Sequence, residues 1–490
     1  MSNSKLNARV IGKLIYSGEL ELLSPLLIGT GEKEEEADII VLKDDAGYPF
    51  IPATSMVGVM RHYCEKHCPG ESKASPSYEN LWGSPREKHE DSKQSALALR
   101  DMEILEKDLD RFSIRIRDGI AIDNSTGIAE DKKKFEYEVL EPGISFKFYM
   151  EITLREAFDD QEISDLADFT IQALKEGNIT LGSKTTRGLG RCRLKGIHYR
   201  KYLFSNKQDV REWLNGNWEL EKWEPSATPN ILAKETNNLV IEAVFSIKHS
   251  LLVRSYTGDP KAPDAVHIKS GDKPVLPGTS LAGAIRARAE RIAYTVTAQE
   301  KCGNDILKPL FGWADDQGEN RSKGKSRIII EEKPVKAEKI AEEMQTRIKI
   351  DRFTGGTLKA HLFEEMPLWA KDSSEMVSVV MKVEDCRDYE AGLLMLVLKD
   401  LWNGDLPLGG GKNIGRGVLQ GIMATVCINK EIVTISNISG NEDLAENGDK
   451  QNLIIKTENL DIDAKQFLQE KVKAFIDKCD ESKEVSGNES

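Results

Sequence analysis

The feature that most constrains this chain is that it says the same thing twice. Three blocks recur in the same order. Ile51-Pro-Ala-Thr-Ser-Met-Val-Gly-Val-Met-Arg61 returns 225 residues later as Leu276-Pro-Gly-Thr-Ser-Leu-Ala-Gly-Ala-Ile-Arg286. Ile120-Ala-Ile-Asp-Asn-Ser-Thr-Gly127 returns after 228 as Ile348-Lys-Ile-Asp-Arg-Phe-Thr-Gly355. Leu181-Gly-Ser-Lys-Thr-Thr-Arg-Gly-Leu-Gly190 returns after 227 as Leu408-Gly-Gly-Gly-Lys-Asn-Ile-Gly-Arg-Gly417. Collinear blocks at so nearly constant an offset require duplication or an equivalent constraint. The expected layout is a first domain over 1–205, a linker over 206–237, a second domain over 238–428, and an acidic extension over 429–490 carrying an amphipathic helix near Ala464 to Asp480.

Periodicity and breakers give each copy the same order of elements. Opening strands are expected over Lys13–Leu23 and Val240–Leu252, and Ser or Thr is expected to cap the helices entered at Met56 and Leu281. Extended inserts follow at about 108–140 and 345–366. Then come a strand (Ile144–Leu154; Met376–Val383), a second helix (Ile163–Glu176; Asp388–Trp402), a Gly-rich loop and a last strand (Gly190–Ile197; Gly417–Val426). The order predicts an α+β fold of two ferredoxin-like palms in tandem, the layout of RNA-recognition sheets.

Composition narrows the function classes. With 39% hydrophobic and 30% charged residues the chain is expected to be globular. It has no apolar run of the roughly eighteen residues a membrane helix needs. Met1 to Arg9 lack an apolar core and a small-residue cleavage site, so no secretion signal and a cytoplasmic location are expected. Seven scattered cysteines form no disulfide framework and are expected to be reduced. The net charge of -13 is unfavourable for nucleic acid, but residues 441–490 carry thirteen acidic residues against seven lysines, or -6, which leaves -7 for the rest. A local basic groove remains compatible with that balance.

The Gly-rich loops suit close approach of a backbone to phosphates. Beside them Lys184, Thr185, Arg187, Gly188, Gly190 and Arg191 in the first copy, and Gly411, Lys412, Asn413, Gly415 and Arg416 in the second, are the candidate phosphate contacts. Residues 177–185 nearly spell a nucleotide-binding P-loop, yet Ser183 displaces the lysine and the loop follows a helix instead of a strand. His62, Cys64, His67 and Cys68 crowd one segment. Positions 64 and 68 share a helical face, which favours a core thiol pair over a structural zinc site.

Taken together the blocks resemble the RAMP superfamily, in particular the Cas-seven backbone subunits of the Csm and Cmr complexes of type III CRISPR effectors. The resemblance rests on Ile28-Gly-Thr-Gly31, Asp38, Val41-Leu-Lys-Asp44 and Ile51–Gly58 in the first copy, and on Asp264 and Leu276–Gly283 in the second. The Ile-Asp-x-x-Thr-Gly runs around Asp123 and Asp351, within thumb-like β inserts, and the closing Gly-rich loops complete it. Departures are Ala53 for the family's Gly, Val57 and Ala282 for its Lys, and a second opening segment, residues 252–258, that lacks the paired glycines.

The resemblance implies binding of guide crRNA and cleavage of complementary target RNA, which makes the chain an RNA-guided endoribonuclease of antiviral defence. The implied catalytic residues are Asp38 and Asp264, each beside a flipped target nucleotide and each able to recruit Mg2+ or a similar ion. Ser55, Arg61, Ser280 and Arg286 on the first helices, and Lys132, Lys133, Lys134, Lys349 and Arg352 on the thumbs, would contact RNA. Implied partners are the guide, the target and other effector subunits: further RAMP backbone subunits, the large polymerase-like subunit and small subunits, with no membrane. The alternative is a guide-binding scaffold that does not cut.

Overall fold

The computed structural model describes residues 9–31, 37–84, 93–124, 126–216, 220–224, 231, 233–234, 236–255, 262–314, 323–437, 453–458 and 463–487. By contact density the chain divides into two compact units. The first takes 1–119, 135–185 and 189–235, and the second takes 120–134, 186–188 and 236–490.

The first unit is built on an antiparallel sheet ordered Leu97–Leu99, Ser145–Arg155, Val10–Leu22, Cys192–Leu203, Glu221–Lys222. The opening strand is central, with Leu14 opposite Ile152 on one side and Lys201 on the other. Alternation in that strand puts Leu14, Tyr16, Leu20 and Leu22 into the main core. Two helices cover the same core. Ala53–His67 buries Met56, Met60 and Cys64, one face at helical spacing. Asp160–Glu176 buries Ile163, Leu166, Ala167, Ile171 and Leu174, and the Asp159 side chain caps it by accepting from the Gln161 and Glu162 amides.

The second unit repeats this plan. Its sheet runs Ile328–Ile330, Val377–Val383, Leu239–Lys248, Val418–Ile428, Glu431–Asn437, Leu453–Glu458. Ile241 lies between Met381 and Val426, as Leu14 lies between its neighbours. Gly278–Thr297 and Asp388–Asn403 are the two helices, burying Leu281, Ile285, Ala289 and Leu394, Val397, Leu398. Both units are mixed α+β, and each has the last strand, the opening strand and the post-insert strand side by side.

Three expectations are corrected. The first helices begin at Ala53 and Gly278, with Pro52 and Pro277 at the cap position and no side-chain cap bond, so Thr54, Ser55, Thr279 and Ser280 lie inside the first turn. Residues 206–237 are more than a tether. A helix over Lys207–Asn215 follows the last strand, and Glu221–Lys222 joins the sheet edge. The acidic extension, expected to lie beyond a second domain ending at 428 with its helix as a packing or partner element, packs into the second unit itself. Two of its segments lengthen the sheet, and the helix Ala464–Gly487 buries Phe467, Phe475 and Cys479. That helix crosses Asp388–Asn403 so closely that a Cβ on Gly392 would lie 2.0 Å from the Lys471 carbonyl oxygen.

The inserts are two-stranded hairpins, Ile114–Ile122 with Ala129–Leu140 and Gln345–Ile350 with Thr357–Met366. The repeated Ile-Asp-x-x-Thr-Gly run is their turn. The Gly127 amide donates to the Asp123 carbonyl (2.8 Å) and the Gly355 amide to that of Asp351 (2.9 Å). The Thr126 and Thr354 hydroxyls bond the Asp123 and Asp351 carboxylates at 2.9 and 3.1 Å. These aspartates tie their own turns, a local use of Asp that needs no ligand. No helix among the described residues is long and apolar enough to cross a membrane.

Candidate nucleic-acid interface

Asp38 and Asp264 occupy the same place in the two copies. Each begins a short extended segment that runs parallel to the rear thumb strand, Ile39 opposite Tyr137 and Ala265 opposite Glu365. The carboxylate reaches across to that strand's backbone. Asp38 Oδ2 accepts from the Glu136 amide (3.1 Å), and Asp264 Oδ2 from the Glu364 amide (2.9 Å). Asp38 is half-buried and Asp264 exposed.

The Gly-rich loops are locked by the same bonds in both copies. Leu181 donates to Gly190 and Leu408 to Gly417, at 2.8 and 2.9 Å. The Gly190 and Gly417 amides donate to the Pro25 and Ser250 carbonyls, both at 2.8 Å. A Cβ on either glycine would sit 1.7 or 1.8 Å from the Leu181 or Leu408 carbonyl oxygen, and both have positive φ. Only glycine fits there. Gly190, expected at RNA, therefore has its amide committed to protein backbone. Ser183 and Gly410 are likewise bonded, to the Leu27 and Leu252 carbonyls. Each loop carries a single 3-10 turn, Thr185–Arg187 and Lys412–Ile414, with Arg187, Lys412 and Asn413 exposed. Gly188 is buried, Arg191 half-buried and Gly415 exposed, its amide closing the turn on the Lys412 carbonyl. Desolvation and the Arg291 guanidinium hold the Lys412 ammonium below its usual range.

Lys184 takes positive φ and lays its Nζ over the rings of Tyr137 (3.7 Å) and Phe135 (4.2 Å). It packs on the thumb's rear strand, a cation–π arrangement. At the corresponding point of the second loop stands Gly411.

Arg416 is the clearest correction. It is only 3% exposed, and its guanidinium bonds Glu365 (2.7 Å) and Gln345. Glu365, itself 6% exposed, also receives Arg254 at 2.7 Å and Arg347. One buried carboxylate thus gathers three guanidiniums. Burial alone would raise its pKa, but Arg416, Arg347 and Arg254 together hold it below the usual carboxylate value. Arg254 and Arg347 then line a cleft of about 700 Å³ with Asp264, Lys349, Phe363 and Asn413. The cleft brings together Asp264, Lys349 and Asn413 of the expected residues, and adds Arg254, Arg347 and Glu365. The signal for the additions was charge standing where the first copy has small or apolar residues.

The other expected contacts are scattered. Ser55, Arg61 and Ser280 are half-buried on the first helices, and Arg286 is paired with Glu290 (2.9 Å). Lys133 pairs with Glu130, Lys134 and Arg352 are exposed, and the side chain of Lys132 lies outside the described residues. Near the second thumb's tip Phe353 is 99% exposed, with Ile348, Ile350 and Leu362 also open.

Metal ligation finds limited material. Among the described residues no group of three His, Cys, Asp or Glu is placed to hold an ion. Cys64 and Cys68 are buried free thiols, while His62 is exposed and His67 packs on Tyr63. Asp38 and Asp264 would each offer one carboxylate oxygen pair to a hydrated Mg2+ shared with an RNA phosphate.

A family model described as the RAMP superfamily matches residues 19–193 and again residues 245–420. No curated protein matches the chain significantly. The two matches cover most of the sequence and coincide with the two repeated plans, so the chain belongs to the RAMP superfamily, as two of its modules in tandem.

Proposed function

We propose that this chain is a backbone subunit of a type III CRISPR effector that holds guide crRNA and cuts complementary target RNA at Asp38 and Asp264. Family membership supports the coarser part, a CRISPR-associated RNA-binding subunit of a multi-subunit complex. The observation carrying the finer part is the placement of both aspartates at matching points against the rear thumb strand. A thumb that interrupts the guide–target duplex would splay one target nucleotide beside it, and the exposed Phe353 tip suits such a wedge. The base sequence would be read by pairing to the guide, with the protein following backbone shape. Further RAMP subunits, a large polymerase-like subunit and small subunits would complete the particle in the cytoplasm.

In the proposed reaction the aspartate takes the proton of the target's 2′-hydroxyl as that oxygen attacks the adjacent phosphorus. The P–O5′ bond breaks and the leaving oxygen takes a proton from water. The products are a 2′,3′-cyclic phosphate and a 5′-hydroxyl. Mg2+, when bound by Asp38 or Asp264 together with the phosphate, would offset charge building on the phosphoryl oxygens. The residues' own part is to orient the carboxylate, which the Glu136 and Glu364 amides fix by one oxygen.

That same anchoring favours a second reading, in which the aspartates tie loop to thumb and the chain is a non-cutting guide scaffold. Product mapping on an end-labelled target separates the two. Asp38→Asn and Asp264→Asn should each erase one cut by on the order of a hundredfold or more while target binding persists. Cuts that survive both changes would leave the scaffold.

A further inference from the structure

Resting on that reading, we propose that the second repeat holds its RNA phosphodiester with an arginine pair, Arg254 and Arg347, that the first repeat lacks. Three guanidiniums share the single Glu365 carboxylate, so the cluster carries positive charge in excess of its internal partner. Gathering three like charges around one carboxylate is unfavourable unless a further anion balances them. Arg416 is spent inside, at 3% exposure; Arg254 and Arg347 keep 43% and 34% and face the cleft that also holds Asp264.

A second observation points the same way. The Nε of Arg347 is a buried donor with no hydrogen-bond partner, so the protein alone leaves this guanidinium incompletely satisfied. Gly410 lies under the Arg254 side chain, where a Cβ would meet its Nε at 3.2 Å, so that arm rests on bare backbone. Glu365 thus acts as a positioning residue, aiming two forked donors at one place, the geometry guanidinium offers a phosphate.

The first repeat has no room for this device. Its counterparts of Arg254 and Arg347 are Gly29 and Gly119. A Cβ on Gly29 would meet Ile39 at 2.8 Å, and Gly119 lies flat under the Phe135 ring, where a Cβ would meet Cζ at 2.2 Å. Tyr137 stands where the second repeat has Glu365.

The test uses the full chain, wild type against Arg254→Ala and Arg254→Lys, with a single-stranded RNA for salt titration and a guide-paired labelled target for cut mapping. For Arg254→Ala the slope of log affinity against log salt should fall by about one, as for a lost phosphate contact. The second-repeat cut should slow on the order of a hundredfold, with the first-repeat cut within about twofold. Arg254→Lys should restore the salt slope but only part of the rate, because an ammonium cannot fork. An unchanged slope, or equal slowing of both cuts, overturns the proposal. If the wild type makes no cut, the nuclease reading fails alone and the salt slope still decides: a fall supports the phosphate seat and no change ends it.

Discussion

The two repeats share a frame and differ in what fills it. Behind Asp38 the thumb strand, the opening segment and the Gly loop close on Tyr137, Leu27, Val139 and Leu189, an apolar cluster with Lys184 laid over its aromatic edge. Behind Asp264 the same three elements close on Glu365, Arg254, Arg347 and Arg416. Backbone bonds are conserved between the copies down to single amides, Gly190 to Pro25 and Gly417 to Ser250. The lesson is that duplication has fixed the scaffold that places an aspartate while leaving its surroundings free to become either dry or ionic. Equal placement need not mean equal chemistry.

Exchanging the fillings should break the comparison most severely. Leu189 and Arg416 are counterparts, and Leu189→Arg puts an unpaired charge into an apolar pocket, while Arg416→Leu removes a partner from a buried carboxylate. Leu189→Arg should cost about 3–5 kcal/mol in urea unfolding, and Arg416→Leu, which leaves Glu365 with Arg254 and Arg347, about 1–3 kcal/mol. Tolerance of either swap would mean that the two interiors are interchangeable.

Acid should separate the units next. His267 is buried with its Nδ1 accepting from the Val253 amide (3.2 Å) and its Nε2 bonded to the Val275 carbonyl (2.9 Å), and burial pulls its pKa down to about 4. Between the ordinary value of 6.5 and that depressed value the unfolded chain binds a proton that the folded chain refuses. The contribution is therefore whole above pH 6.5 and lost as pH falls toward 4, about 3 kcal/mol at 1.36 kcal/mol per unit. The first unit has Val41 at this point and lacks that slope. Unfolding at stepped pH should show the second unit weakening first, and His267→Gln should flatten the difference.

Lys184 sharpens the comparison at the small end. Its positive φ costs about 1–2 kcal/mol and its cation–π contact returns about the same. Lys184→Gly, which installs the second repeat's residue, should thus change stability by less than about 1 kcal/mol. A larger loss would show that the stacked ammonium anchors the thumb.

The repeat, the strand and helix order and the thumb hairpins were legible because each is a local pattern that occurs twice, whereas Asp38 and Asp264 entered through the family resemblance. The second copy's arginine cluster was not legible. Its members lie 111, 18 and 51 residues from Glu365, and only folding makes them neighbours. Arg416 reads as a loop cation in sequence because nothing local reveals a buried carboxylate waiting for it. Gly190 reads as a phosphate cradle for a similar reason, since the carbonyl of Pro25 that takes its amide is far away in the chain. The helix caps misled for the opposite reason: Pro52 and Pro277 start the helices by fixing backbone geometry, leaving the following hydroxyls inside the turn.

The central claim is most directly tested by an experimental structure of the Asp38→Asn/Asp264→Asn double variant with guide and intact target. Two unstacked target nucleotides are expected, one at each substituted position, with the second phosphate also touching Arg254. A continuous, regularly stacked duplex that meets neither position would contradict it.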